Sequence, residues 1–437
     1  MRSAYLLLGI LFSLPGISAV SAAEDKPIQA VNAADWKPTA EDATAALQGA
    51  IDSGAGIVRV PNIGRPWVVT PITLRGDLEL IFEDGVEVEA KKGGFLGKLD
   101  CLFKATDARN LVIRGEGTVV LRMHKRHYQM AAYKKSEWRH GISLLGCENV
   151  RVENLTVRET GGDGIYLSRS NTLNGCRHVV IRNVISDANH RQGLSVIAGS
   201  DLLIENCVFK NTEGAAPEAG FDIEPNGDGQ SAERITVRNC LSENNGGAGF
   251  ITYFLKLSAE KSPPLDITFE NCRVVNNKGA AFVVGAVGDN NPSGTIRFLG
   301  CTAENTQGPG IYLYDKSRNR ARIRFENCTL KNVAQSNRGP IVSPELVGKD
   351  VDDAVPNAPV VLFLRRPQIT KTPGGVDFVD CVVEDRGDRP VVVAATLTTP
   401  HHPVGDLSGT IKVSHPNPVM NLGADATAIT LKLVETK

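Results

Sequence analysis

The chain has 437 residues and carries 48 Lys+Arg against 49 Asp+Glu, a formal net charge of −1. That balance argues against a nucleic-acid partner, which normally calls for a basic excess. Hydrophobic residues at 42% and charged residues at 22% exclude bulk disorder; 43 Gly with only 5% aromatics suit tight turns and thin, aliphatic-lined layers better than a helical bundle.

Arg2 is followed by a largely apolar run from Ala4 to Val20, then by Ser21-Ala22-Ala23. A basic start, a short apolar stretch and small residues predict a secretory signal peptide over residues 1–23. The mature domain, 24–437, is therefore expected in the periplasm or outside the cell. Pro15-Gly16 breaks the run below a spanning length, so stable membrane insertion is not expected. Asp42 to Ile51 reads as a helix stopped by Gly54, within an N-terminal cap at 38–54. A helix there covers the open end of a strand stack. Residues 57–121 carry early strand patterns, 335–360 a loop excursion without alternation, and 391–435 strand patterns again.

Between these lies a repeat. Six cysteines share one local context: Cys207, Cys240, Cys272, Cys301, Cys328 and Cys381, at intervals of 33, 32, 29, 27 and 53 residues. Cys147 and Cys176 form a second series, each seven residues before an Asn. Alternating strands run into these Asn residues (Val150–Asn154, Val179–Asn183, Leu202–Asn206, Ile235–Asn239, Ile267–Asn271, Ile323–Asn327). A second set opens at a small residue, as in Gly164-Ile-Tyr-Leu, Gly193-Leu-Ser-Val and Gly220-Phe-Asp-Ile. Period-2 alternation with this spacing predicts a solenoid of parallel strands, with Asn at the bends. Stacked Cβ atoms about 4.8 Å apart lie beyond the ~3.8 Å a disulfide prefers, so the thiols are expected to be reduced core residues.

The helix, the Gly-Ile-Tyr-Leu strands and the Asn-Cys bends resemble right-handed parallel β-helix proteins, and the N-terminal half is similar to the pectate-lyase and rhamnogalacturonase superfamily. The resemblance covers roughly residues 38–385 and implies an all-β, single-domain right-handed parallel β-helix with an N-terminal capping helix. It implies a polysaccharide partner without fixing the reaction, because the fold also carries lyases, epimerases and phage adhesins.

Aligning the small residues places Asp163, then His190-Arg191, then Asp222 and Glu224 on consecutive coils. With Phe221 and Ile223 inward, Asp222 and Glu224 share the outward face, roughly 6.5–7 Å apart. The segment 122–140 lies outside the alternation and holds six Lys/Arg, three His, two Tyr and one Trp against one Glu. As a loop over a groove it suits an acidic sugar polymer, cations meeting carboxylates and rings stacking on pyranose faces. Candidate binding residues are Tyr133, Lys134, Lys135, Trp138, Arg139 and His140, with Tyr166 and Tyr253 on the outward strand face.

Two chemistries fit this patch. In hydrolysis, Asp222, Glu224 and Asp163 supply the acid and base. In β-elimination, His190, Lys135, His140 or Tyr133 removes a proton, and Arg191 with Arg139 neutralises a uronate. No cofactor is assigned from the sequence; the candidate is Ca²⁺, to which Asp222 and Glu224 with the turn Pro225–Gly229 could present oxygens, and which would then neutralise the uronate in place of the arginines. A third reading is a non-catalytic glycan-binding or adhesion β-helix. Of the polygalacturonase signatures only the Asp of Gly162-Asp163-Gly164 is matched, while Asp352-Asp353 falls in the loop excursion, out of order. Gly220-Phe221-Asp222 resembles the start of the mannuronan-epimerase site strand, but Ile223 and Glu224 replace its Pro-His.

Overall fold

The computed structural model describes residues 29–336, 356–396 and 403–436. The expected signal segment and most of the 335–360 excursion, Asp352-Asp353 included, lie outside the described residues. The helix is Thr44–Asp52, shorter than the 38–54 expected, and buries Ala46, Leu47, Ala50 and Ile51. It starts late because the Asp42 carboxylate stays outside it, accepting from the Thr44 N–H at 2.8 Å and pairing with Lys91 at 2.7 Å.

Every paired strand is parallel to its partner. The strands form a 23-stranded sheet and a 12-stranded sheet that wrap one continuous core. In the smaller sheet Ile142 stands beside Ile165, then Leu194, Phe221, Phe250, Phe282, Ile311 and Val360, the alignment read from the repeat. The small residue opening each strand has a steric cause. A Cβ on Gly164 would lie 2.0 Å from Ser186 Oγ, and one on Gly193 2.3 Å from the Gly220 carbonyl.

The bends are made by Asn in the left-handed region: Asn154, Asn183, Asn206, Asn239, Asn271 and Asn327 all have φ between 51° and 57°. Asn tolerates this backbone better than most residues and hydrogen-bonds along the stack. Asn183 donates to Asn154 at 2.9 Å, and Asn332 to Asn305 at 2.7 Å.

Inside, the low aromatic content is not spread thinly as composition suggested. Phe269, Phe298, Phe325 and Phe378 stack face to face on successive coils at 4.6–5.6 Å between centroids. All nine cysteines are buried and free. Seven of the thiols donate to carbonyls of the coil before, such as Cys328 to Phe298 at 3.2 Å and Cys272 to Val237 at 3.3 Å. A thiol-reactive dye is therefore expected to label none in the native protein and nine in denaturant without reductant; a smaller number would reveal cross-links.

Candidate active site

The outward face of the smaller sheet carries the site. Its register places Lys104, Ser143, Tyr166, Ser195, Asp222 and Ile251 in one column, each on the next coil. Asp222 is on the outward face as expected, but it is not solvated: Asp222 is 1% exposed, and Asp163 and Ser195 are fully buried. Turns and the 122–140 segment fold over them.

Arg191 organises the cluster. Its guanidinium lies 3.6 Å from Asp163, 3.5 Å from Glu224 and 4.0 Å from Glu137. These contacts are longer than charge-assisted bonds of about 2.7–2.9 Å, so Arg191 is shared among carboxylates rather than fixed to one. Beneath it, Gln192 donates to Asp222 Oδ2 at 3.2 Å and accepts from the Ala219 N–H at 2.9 Å, which holds Asp222 in place.

Burial pushes the Asp163 carboxyl up to about 7 against the opposing pull of Arg191, with Glu137 and Glu224 adding to the rise. Neither Asp163 oxygen, nor Ser195 Oγ, nor Arg191 Nε has a hydrogen-bond partner of good geometry among the described residues. Burial, then the neighbouring Glu224 charge, holds Asp222 well above the usual carboxylate range, against the opposing pull of Arg191. Arg191 thus stands between two carboxyls, Asp163 and Glu224, on the coils either side of its own.

The remaining predicted residues divide into those near this cluster and those spent on structure. His140 joins it: its Nδ1 accepts the Asp163 N–H at 3.0 Å and its ring stacks on Tyr166 at 4.3 Å. Burial drives His140 down to about 3, so it is neutral and its Nδ1 lone pair is engaged. His190 turns the other way, its Nε2 3.3 Å from Gln129 Nε2, with Lys125 and Arg139 as its charged neighbours.

Arg139 is not available to a substrate. It is fully buried, donates to the carbonyls of Phe95 at 2.9 Å and Lys134 at 2.7 Å, and lies over the rings of Tyr128 and Tyr133. Tyr133 packs beneath it, and its hydroxyl accepts from the Gly93 N–H at 2.8 Å. A basic, aromatic loop needs its own anchor, and these two residues provide it. Arg139→Met is expected to cost about 2–4 kcal/mol and to make the loop a preferred proteolytic site. Unchanged stability in urea would contradict the anchoring role.

Lys134 and Lys135 are exposed on the loop. Trp138, 42% exposed, forms one wall of a cleft of about 580 Å³ beside His140 and Tyr166. Tyr253 stands past Glu224 and bonds Arg366 at 3.2 Å. The turn expected to help hold Ca²⁺ is engaged elsewhere: Asp228 pairs with Lys261 at 3.2 Å and accepts from the Ser258 N–H. Among the described residues no cluster of three or more His, Cys, Asp or Glu is arranged to hold a metal. Lys104 and Arg169 also line the cleft, and sequence reading missed both. Carrying the repeat alignment one coil earlier, to Phe103, would have found Lys104.

Residues 140–343 match the family described as right handed beta helix region. A curated relative, the SPbeta prophage-derived uncharacterized protein YorA of Bacillus subtilis (strain 168), is 24% identical over 204 residues, 43% of this chain and 34% of the relative. The chain thus spans only about a third of that protein's length. Among solved structures, the A-module of the Azotobacter vinelandii mannuronan C-5 epimerase AlgE6 superposes with a TM-score of 0.61 at 15% identity, covering 93% of this chain and 99% of the other. The Yersinia enterocolitica family 28 exopolygalacturonase gives 0.57 at 15% identity, covering 94% and 79%. The chain is a right-handed parallel β-helix.

Proposed function

We propose that the protein is an exported carbohydrate-active enzyme that hydrolyses glycosidic bonds of an acidic polysaccharide. The observation that carries this reading is a fully buried Asp163, its carboxyl raised by burial to about 7, facing the same Arg191 guanidinium as Glu224. In the proposed reaction Asp163 gives its proton to the leaving glycosidic oxygen while Glu224 takes a proton from water. The water oxygen then bonds the anomeric carbon. Asp222, its carboxyl raised well above the usual range by burial beside Glu224, resists a second charge there. Arg191, loosely held, exchanges a protein carboxylate for a substrate carboxylate and so uncovers Asp163.

The similarity to an epimerase and an exopolygalacturonase, both named for acidic polysaccharides, supports the substrate class. Elimination is supported less: His140 and Tyr133 already use the atoms a base would need, and Arg139 is committed to the loop. Incubation with a panel of acidic polysaccharides, with and without EDTA, tests the proposal. New reducing ends without ultraviolet absorbance from unsaturated uronates are expected. Absorbance rising with the ends means a lyase, and silence on both channels would overturn enzymatic cleavage in favour of a binding protein.

A further inference from the structure

The cleft lies to the N-terminal side of the cluster, which it meets at His140 and Tyr166, and the two sides of Asp222 differ in chemistry. Toward the N-terminus the outward column is polar: Ser195, Tyr166, Ser143 and Lys104 lead away from Asp222 over four coils, about 19 Å, with the two serines buried and Tyr166 and Lys104 partly exposed. That side is the cleft walled by Trp138. Lys104 and Arg169, which line it, have no ion-pair partner among the described residues.

Toward the C-terminus the same column reads Ile251, Val283, Tyr312 and Val361, none more than 4% exposed, gathered into an apolar cluster separate from the interior core. The next position past Glu224 is closed by a braced wall. Arg366 bonds the Tyr253 hydroxyl, and Asp315 holds Arg366 through its Nε at 2.7 Å and its backbone N–H at 2.8 Å. Asp315 is fully buried. With three donors on the buried Asp315 carboxylate, breaking this ion pair to admit a sugar unit is costly.

Resting on the hydrolytic reading above, we infer that the cleft is a one-sided run of sugar subsites and that the protein acts on chain ends. Anionic groups of the polymer face Lys104 and Arg169, a ring stacks on Trp138, and the terminal units meet the Tyr253–Arg366 wall. A polymer cannot thread past that wall, so internal bonds do not reach Arg191.

Binding and products test this separately. Acidic oligosaccharides carrying a bulky fluorophore at one end or the other would be titrated into the full protein. One labelled end should abolish binding at least tenfold, while the other is tolerated, whether or not turnover occurs. Equal tolerance of both labels overturns the inference and leaves hydrolysis standing. With turnover, products should be one or two units long from the first minutes, and Arg366→Ala should add longer fragments. A mixed ladder from the wild-type protein contradicts chain-end action. No binding of any acidic oligosaccharide overturns the inference together with the reading it rests on.

Discussion

Asp163→Asn is expected to lower turnover by about 10³-fold, within the range of general-acid contributions, while making the protein more stable at neutral pH. The second half follows from the pKa. The Asp163 carboxyl is raised from 3.8 to about 7 in the folded chain. Below pH 4 it is protonated whether the chain is folded or not, and burial costs nothing extra. From pH 4 upward the unfolded chain releases the proton and the folded chain does not, so stability falls. Above pH 7 the penalty is complete, about 4 kcal/mol at ~1.4 kcal/mol per unit. Asn cannot titrate and removes it. Urea unfolding of variant and wild type should coincide at pH 4 and separate by up to this amount at pH 8. A gap independent of pH would show that Asp163 is not held protonated by burial.

Arg191→Met should have the opposite pH signature. Arg191 is the cation facing Asp163, Glu224 and Glu137, and its charge also lowers the Asp222 carboxyl. Removing it leaves buried carboxylates uncompensated, a loss of about 3–5 kcal/mol at pH 8. As the pH falls the carboxyls take up protons and the loss should shrink, most of it gone by pH 4. Turnover should disappear at every pH. A destabilisation equal at both pH values would mean that Arg191 contributes packing rather than charge. Together the two variants separate a site that carries strain for function from an ordinary ion pair.

The fold was legible in the sequence because a solenoid repeats its instructions. Each small residue, each Asn and each inward Cys recurs at one phase, so register follows from alignment without knowledge of long-range contacts. The same alignment brought Asp163, Arg191 and Asp222 to neighbouring coils. It did not show which side chains lie under cover, because the turns and the 122–140 segment are not periodic. Asp222 therefore read as solvent-facing although it is buried. Arg139 and Tyr133 read as binding residues, because a cation and a ring that anchor a loop have the composition of those that hold a sugar. His190 precedes Arg191, yet the turn aims the two apart.

The proposed hydrolysis rests on Asp163 as acid and Glu224 as base, both facing Arg191; a pair that activates water directly would invert the anomeric centre. The most direct measurement is proton NMR of the fresh product, recorded before its anomers equilibrate. Inverted anomeric configuration at the newly formed end is the predicted result. Retained configuration, or an unsaturated sugar at the new end, would contradict it.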